Sequence, residues 1–191
     1  MGRRSNYINH ISERDMDAFR ILWNCQHVPR ELLKISDNRL ESYRKQGIVD
    51  VCKNKDNETI IRCNAKGHKY LSKLDEFKDR KPYQSPTATA HNVKLAETYS
   101  SLSREEQQAW RTEKELREFY NSRLEEIRTH DHDRWEQLRD TPAAAPDGGI
   151  VISGEIQIIY EIVTGTYGQA ELEAHEAFIQ VMGVEASYIH A

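Results

Sequence analysis

Hydrogen-bond donors suited to nucleic-acid binding are concentrated between positions 38 and 55. They are Asn38, Arg39, Ser42, Arg44, Lys45, Lys53 and Lys55. Side chains of these types donate to base edges and to phosphate oxygens. Asp37, Glu41 and Asp50 lie among them and dilute the positive charge. The group favours a DNA-binding surface, and the alternative is an ordinary face of solvated charges.

The local pattern predicts a helix that carries most of these donors. Ser36 or Asp37 can cap this helix, because a short oxygen side chain accepts from the amides of the first turn. Gly47 can adopt the left-handed conformation that ends it. The other elements predicted around it are β-prone runs at 48–52 and 59–63 and helices beginning near Ser12, Arg30 and Ala65. This order predicts a winged helix-turn-helix in which the helix at 37–46 reads DNA and the turn at 53–57 lies along the backbone.

Asp147 and Glu161 are the candidate catalytic residues of the second half. Asp147 precedes a predicted strand at 150–152, and Glu161 lies on the following strand at 155–163. Carboxylates on adjacent strands can hold Mg²⁺, which activates water for hydrolysis. A glutamate of the preceding helix would complete such a site, the candidates being Glu113, Glu115 and Glu118. The alternative is that Asp147 caps a loop and Glu161 is a surface strand residue.

Charge is distributed unevenly along the 191 residues. Residues 1–80 hold 17 Lys and Arg against 12 Asp and Glu, whereas residues 81–191 hold 10 against 19. Only the first part suits a polyanionic partner. The three cysteines share no close spacing and are interpreted as reduced thiols. With no signal-like or membrane-spanning apolar run, we expect a cytoplasmic protein with no membrane partner.

The chain divides into two predicted domains of α+β class. Residues 1–78 form the winged helix-turn-helix, whose first residues are a basic arm with Arg3 and Arg4. Residues 79–90 contain Pro82 and Pro86 and are interpreted as a linker. Residues 91–191 are predicted to contain helices, a β-hairpin and a final helix at 170–182. A continuous helical pattern is expected from Thr112 to Leu138, and its His130–Asp133 segment is interpreted as a solvated face rather than a metal site.

The order of motifs resembles known families. Arg39-Leu40, Gly47-Ile48-Val49, a hairpin and Ala65-Lys66-Gly67 resemble the winged helix of bacterial regulators over about residues 12–76. Pro146-Asp147 and Glu161-Ile162-Val163 resemble the PD-(D/E)xK nuclease core. Together with the Trp110–Arg117 helix and Val163-Thr164 before Tyr167-Gly168, the whole resembles the replication–relaxation family of plasmids and integrating elements. That resemblance implies a mobile-element DNA-binding protein with a nuclease-like second domain.

The nuclease motif departs from its pattern at the lysine. Val163 stands where the lysine should follow Glu161, and residues 115–191 contain no lysine. His175 lies on the helix to which such a lysine can migrate. Without that cation only the metal would offset charge on an attacked phosphate. The missing lysine favours a degenerate core and weighs against nuclease activity without excluding it, and Mg²⁺ is expected only if the protein is a nuclease.

Three functions fit the sequence. The first is a plasmid, phage or integrating-element protein that binds double-stranded DNA in replication, relaxation or transcription control. The second is a metal-dependent nuclease. The third is a phage-type inhibitor whose acidic second half binds a host defence nucleoprotein complex. A homodimer is expected because winged-helix proteins often read two half-sites, and a host or mobile-element protein is a further expected partner.

Overall fold

A computed structural model describes residues 10–84, 90–165 and 167–191. Arg3, Arg4 and Pro86 therefore lie outside the described residues. The chain has a mixed α+β fold and divides into two compact units, residues 1–102 and 103–191. The predicted α+β class is confirmed at this level.

The first unit contains four α-helices and three strands among its described residues. Ser12 caps the first helix in a reciprocal capping box with Asp15. Gly47, with φ of 70°, follows the second helix in the left-handed conformation. The elements are α1 (Glu13–Cys25), β1 (His27–Pro29), a 3-10 turn (Arg30–Leu32), α2 (Asp37–Lys45), β2 (Val49–Lys53), β3 (Thr59–Cys63), α3 (Ala65–Leu71), a second 3-10 turn (Asp75–Phe77) and α4 (Ala90–Ser101).

An antiparallel sheet of order β1-β3-β2 supports the helices of the first unit. Val28 on β1 and Val51 on β2 both lie opposite Ile61 on β3. The core is built from buried aromatic and aliphatic side chains: Phe19, Leu22, Trp23, Val28, Leu33, Tyr43, Ile60, Ile61, Leu71, Phe77, Leu95 and Tyr99. Phe19 packs edge-on against Tyr43, with ring centroids 4.9 Å apart, so α1 holds the inner face of α2.

The first unit differs from its predicted form in two places. The predicted helix at 30–35 is a single 3-10 turn, and the chain before it forms β1 because His27–Pro29 pairs with β3. Helix α4 packs against α1 and β1, with Leu95, Ala96 and Tyr99 fully buried. The unit therefore extends to Leu102, beyond the boundary predicted at residues 79–90.

Over its described residues, 103–165 and 167–191, the second unit has four helices and a four-stranded sheet. Its elements are α5 (Arg104–Ala109), β4 (Trp110–Thr112), α6 (Glu113–His130), α7 (His132–Leu138), β5 (Gly148–Ile152), β6 (Glu155–Val163), α8 (Gln169–Met182) and β7 (Glu185–His190). The sheet order is β4-β5-β6-β7. Strands β5 and β6 form the predicted hairpin, and β7 returns parallel to β6 after the α8 crossover. Gly148 is required by packing, because a Cβ there would lie 1.8 Å from the Trp110 ring.

Helices α6 and α8 cover one face of this sheet. The buried cluster comprises Leu116, Tyr120, Ile127, Ala145, Val151, Ile159, Phe178 and Val181. Tyr120 and Phe178 stack with ring centroids 5.3 Å apart and so join the two helices. The prediction of one continuous helix from Thr112 to Leu138 is wrong, because the segment forms two helices, α6 and α7. Asp131 leaves helical geometry, and its side chain accepts from the Arg134 amide to cap α7.

Candidate functional site

Helix α2 presents most of the predicted DNA-binding donors on the outside of the first unit. Leu40 and Tyr43 face the core, which leaves the opposite side of the helix exposed. Asn38 lies on that side, and the Arg44 and Lys45 side chains are 52% and 53% exposed. The Ser42 hydroxyl donates to the Asn38 carbonyl at 2.8 Å and can still accept. The outer side of α2 is therefore polar, solvent-accessible and rich in donors.

Glu41 holds both cations at the end of α2. Arg44 donates to its two oxygens, from Nε at 2.6 Å and from Nη2 at 2.9 Å. Lys45 Nζ lies 3.7 Å from Oε1 of the same carboxylate. Hydrogen bonding to Arg44 is the main cause that lowers the Glu41 pKa. These pairs are exposed, so water and salt screen them and a phosphate can replace the carboxylate.

The Arg39 side chain is 31% exposed, and its guanidinium is bound by groups of the first unit itself. Its Nε donates to Asp15 Oδ1 at 2.8 Å, its Nη2 donates to Oδ2 at 2.7 Å and to the His10 carbonyl, and its guanidinium lies 5.6 Å from the Tyr43 ring centroid. Burial by itself would raise the pKa of Asp15, but hydrogen bonds from Arg39 and Ser12 outweigh it and lower this pKa to about 2. Arg39 therefore orients α2 against α1.

The hairpin between β2 and β3 carries the other two predicted contacts. Lys53 Nζ donates at 2.9 Å to both the Asn57 carbonyl and the Thr59 hydroxyl, which places it at the base of the turn. Lys55 is exposed at the tip. The Asn54 side chain accepts from the amides of Asp56 and Glu58 and so shapes the loop. The tip is a compact polar turn with one cation projecting into solvent.

Lys66 is a further cation beside α2 that the sequence did not indicate. Its Nζ donates to the Gln46 carbonyl at 2.6 Å, at the C-terminus of α2. A positive charge there is favourable, because the last carbonyls of a helix carry partial negative charge. Lys66 therefore places a further cation at the end of α2 that also carries Arg44 and Lys45. The only sequence signal was a lysine in the first turn of the helix that follows the hairpin.

In the second unit, Asp147 and Glu161 are brought together as buried neighbours. The Asp147 amide donates to Glu161 Oε2 at 3.2 Å, and the Ile162 amide donates to Asp147 Oδ2 at 2.9 Å. Both side chains are almost fully buried, at 7% and 2% exposure. Glu161 is therefore not the surface strand residue of the alternative interpretation. The two carboxylates tie the chain before β5 to the adjacent strand β6.

Tyr167 and His175 complete this buried cluster. The Tyr167 hydroxyl donates to Glu161 Oε1, and His175 Nε2 lies 3.2 Å from the same oxygen. Burial raises the pKa of Tyr167 and lowers the pKa of His175, so both groups favour their neutral forms. His175 thus occupies the helical position considered for a migrated lysine, without a lysine's permanent charge. Sequence inspection named His175 but gave no role to Tyr167.

Of the three glutamates considered as a third carboxylate, Glu118 is exposed and the other two serve other contacts. Glu115 accepts from the Thr112 amide at 2.8 Å and caps α6. Glu113 pairs with Arg117 at 2.7 Å on the exposed side of the helix. Over residues 10–84, 90–165 and 167–191, no three His, Cys, Asp or Glu side chains are grouped so that they could hold a metal ion. As arranged, Asp147 and Glu161 are held by protein donors rather than set out as open ligands for Mg²⁺.

No known protein family, curated protein or solved structure matches the chain. None of the described helices is long and apolar enough to cross a membrane.

Proposed function

We propose that the first unit is a winged helix-turn-helix that binds double-stranded DNA. The observation that carries this proposal is the outer side of α2, where exposed donors lie on a helix that is held from behind by the core. The order of α1, β1, a 3-10 turn, α2, the β2–β3 hairpin and α3 supports this proposal, because it resembles that of a winged helix with the turn in place of the second helix. In this arrangement α2 enters the major groove and the hairpin lies along the phosphate backbone.

The contacts divide by chemistry. Asn38 and Ser42 can donate to and accept from base edges, whereas Arg44 and Lys45 can bind phosphates or guanine once Glu41 is displaced. Lys55 at the tip of the hairpin, with Lys53 at its base, can contact the phosphate backbone of the DNA. Arg39 is removed from the set of direct contacts, since its guanidinium is used by Asp15. Its proposed role is to fix the angle at which α2 is presented.

The second unit is proposed to mediate assembly or partner binding. The buried cluster of Asp147, Glu161, Tyr167 and His175 supports a structural role for its nuclease-like motif, because each carboxylate already accepts from protein donors. Such a protein fits the mobile-element setting that the replication–relaxation resemblance implies. Cytoplasmic location and a role in replication, relaxation or transcription control remain part of this proposal.

Fluorescence anisotropy with labelled duplex DNA tests the proposal. The probes are the DNA upstream of the coding sequence and a duplex of shuffled sequence, each titrated at several salt concentrations. We expect binding whose affinity falls steeply with salt, because phosphate contacts release counterions. The triple variant Arg44→Ala, Lys45→Ala and Lys55→Ala should lose at least about tenfold in affinity and show a shallower salt slope.

A matched control removes the same number of charges from the second unit. Arg117, Arg123 and Arg128 are exposed on α6, and each is paired with a glutamate, as Arg44 is. Their triple alanine variant should bind DNA nearly as the wild type does. If the α2 variant binds like the wild type, or if both variants lose affinity equally, α2 and the hairpin are not the DNA-binding surface.

A further inference from the structure

Strand β7 forms one edge of the second sheet. It is hydrogen-bonded to β6 and has no second neighbour in the part of the chain that the structure describes. The opposite edge, β4, is only three residues long, whereas β7 has six. A long edge strand presents a row of backbone donors and acceptors that a further strand can pair with.

The outward-facing groups of β7 can be assigned from one hydrogen bond. The Ala191 amide donates to the Val163 carbonyl of β6 at 3.0 Å. Successive residues of a strand direct their N–H and C=O groups to alternate sides. The groups that point away from β6 are therefore those of three residues: Ala186, Tyr188 and His190.

The edge lacks several of the features that normally prevent strand pairing. Proteins protect edges with lysine, proline, bulges or very short strands. The β7 sequence, Glu-Ala-Ser-Tyr-Ile-His, contains neither lysine nor proline, and its pairing with β6 is regular over all six residues. Tyr188 is 39% exposed and is one of three large hydrophobic side chains of the described chain with such exposure.

Charge favours this edge as the place where two copies meet. Residues 103–191 contain 8 Lys and Arg against 18 Asp and Glu, so two copies of this unit repel each other over most of their surface. Strand β7 carries a single carboxylate, Glu185, at its first position. Approach along β7 therefore brings together a strand that carries only one of the 18 carboxylates of this acidic unit.

We propose that β7 is the interface through which two copies of this chain form a dimer, by antiparallel pairing that joins their sheets. A two-fold axis requires antiparallel strands and self-complementary contacts. With the axis at Tyr188, this residue lies opposite itself, and Ala186 lies opposite His190 of the second copy. Each outward-facing residue then meets another outward-facing residue, and no carboxylate faces a carboxylate within these pairs. This interface does not require the first unit to bind DNA.

Sedimentation velocity over a range of protein concentrations tests the interface. Tyr188→Pro removes an outward N–H but leaves the bonds of Ser187 and Ile189 to β6, a position at which edge strands tolerate proline. Tyr188→Thr is the matched control, because it shortens the side chain and keeps the donor. The wild type should dimerise, and the proline variant should raise the dimer dissociation constant at least about tenfold, since two donors are lost per dimer. The threonine variant should raise it less.

Amide hydrogen exchange on the wild type gives a second measurement that needs no variant. The amides of Ala186, Tyr188 and His190 should become slower to exchange as protein concentration rises, whereas those of Ser187 and Ile189 should be protected throughout. A wild type that remains monomeric overturns the proposal. So does a dimer in which the three outward amides exchange rapidly, or a folded proline variant that dimerises as well as the wild type. Circular dichroism of both variants establishes that the fold is retained.

Discussion

Glu41 in the first unit and Glu161 in the second use the same functional group in opposite ways. Glu41 pairs with Arg44 and Lys45 on the exposed side of α2, where its side chain is 40% exposed. Glu161 is 2% exposed and lies among the Asp147 amide, the Tyr167 hydroxyl and His175. One carboxylate is in contact with water and the other is enclosed by the protein.

The difference indicates which group can exchange partners. An exposed ion pair contributes little free energy of folding and is screened by salt, so an incoming phosphate can replace it at small cost. A buried carboxylate whose donors are all supplied by the protein is costly to disturb, because its former partners would be left without hydrogen bonds. This contrast supports ligand binding at α2 and a structural role at the cluster around Glu161.

The largest effect is expected from Glu161→Ala. Removing this carboxylate leaves the Tyr167 hydroxyl and the Asp147 amide without their acceptor inside the second unit. We expect the free energy of unfolding to fall by about 3 to 5 kcal/mol, because each of the two buried donors left without an acceptor costs about 1 to 3 kcal/mol. Urea denaturation followed by circular dichroism measures it, with the exposed Glu176→Ala on α8 as control. A loss below about 1 kcal/mol would mean that the cluster is not a structural element.

Arg39→Ala should have the next largest effect, on the stability of the first unit. The buried Asp15 carboxylate would lose both hydrogen bonds to the guanidinium, at a cost of about 2 to 3 kcal/mol. The Asp15 pKa of about 2 lies below its ordinary value of 3.8. The stabilisation is therefore present above about pH 4 and is lost as the pH falls towards 2.

Denaturant titrations at neutral and acidic pH measure the Arg39 effect. The exposed Arg14→Ala on α1 removes the same charge and should change stability little. The difference between Arg39→Ala and wild type should shrink at acidic pH. Unchanged stability combined with a large loss of DNA affinity would instead make Arg39 a direct DNA contact, as the sequence predicted.

Acid should destabilise the first unit through His27. Burial, aided by the nearby Arg62 charge, lowers the pKa of His27 from 6.5 to about 4. The unfolded chain binds a proton at higher pH than the folded chain, so stability is lost as the pH falls from 6.5 to 4, by about 2 kcal/mol. Thermal unfolding measured across this pH range should show that the melting temperature of His27→Gln falls less steeply with decreasing pH than that of the wild type. An identical slope would mean that His27 does not titrate with folding.

A smaller effect is expected from Glu41→Gln, on DNA affinity. This change removes the carboxylate that competes with phosphate for Arg44 and Lys45, so affinity should rise by about threefold at low salt, with a steeper salt dependence. Glu97→Gln removes a similar exposed pair with Lys94 on α4 and serves as the control. The triple variant of α2 and the hairpin could lose affinity while Glu41→Gln changes nothing. DNA binding at α2 would then be supported, but competition between Glu41 and phosphate would be excluded.

The smallest effect is expected from Mg²⁺. Since Asp147 Oδ2 and both oxygens of Glu161 accept from protein donors, millimolar-range Mg²⁺ should not raise the melting temperature of the chain. Incubation with supercoiled DNA and Mg²⁺ or Mn²⁺ should give no cleavage above that of Asp147→Ala. A Mg²⁺-dependent stabilisation or nicking that this variant abolishes would favour the nuclease hypothesis. Glu161 would then bind a ligand, as is proposed for the surface around Glu41, and would not have a purely structural role.

Much of the first unit could be predicted because its signals are local. Ser12 and Ser36 start α1 and α2 through side chains that accept from amides three residues ahead, and Gly47 follows α2 with positive φ, as expected. The direction of the Arg39 side chain could not be predicted. It depends on Asp15, 24 residues earlier in the chain, and no local pattern relates the two.

The second unit shows the same division. The alternation of apolar residues predicted β6, and the helical spacing predicted α8. Strands β4 and β7 were missed, since β4 is short and β7 is largely polar, and each is a strand only by pairing with a distant segment. The break at Asp131 was missed because apolar residues continue at helical spacing on both sides of it. Tyr167 completes the cluster from outside the nuclease motif, and the family resemblance that includes it assigned it no role.

The sequence by itself determined the α+β composition, the starts of the main helices, the hairpins, the charge asymmetry and the missing lysine. These properties depend on residue type and on spacings of a few positions. Only the tertiary structure decided that Arg39 faces Asp15, that α4 joins the first unit and that Glu161 is enclosed by Tyr167 and His175. Such outcomes depend on contacts between residues far apart in the chain. Burial makes these contacts decisive, because a buried charged or polar group without a partner costs free energy of folding.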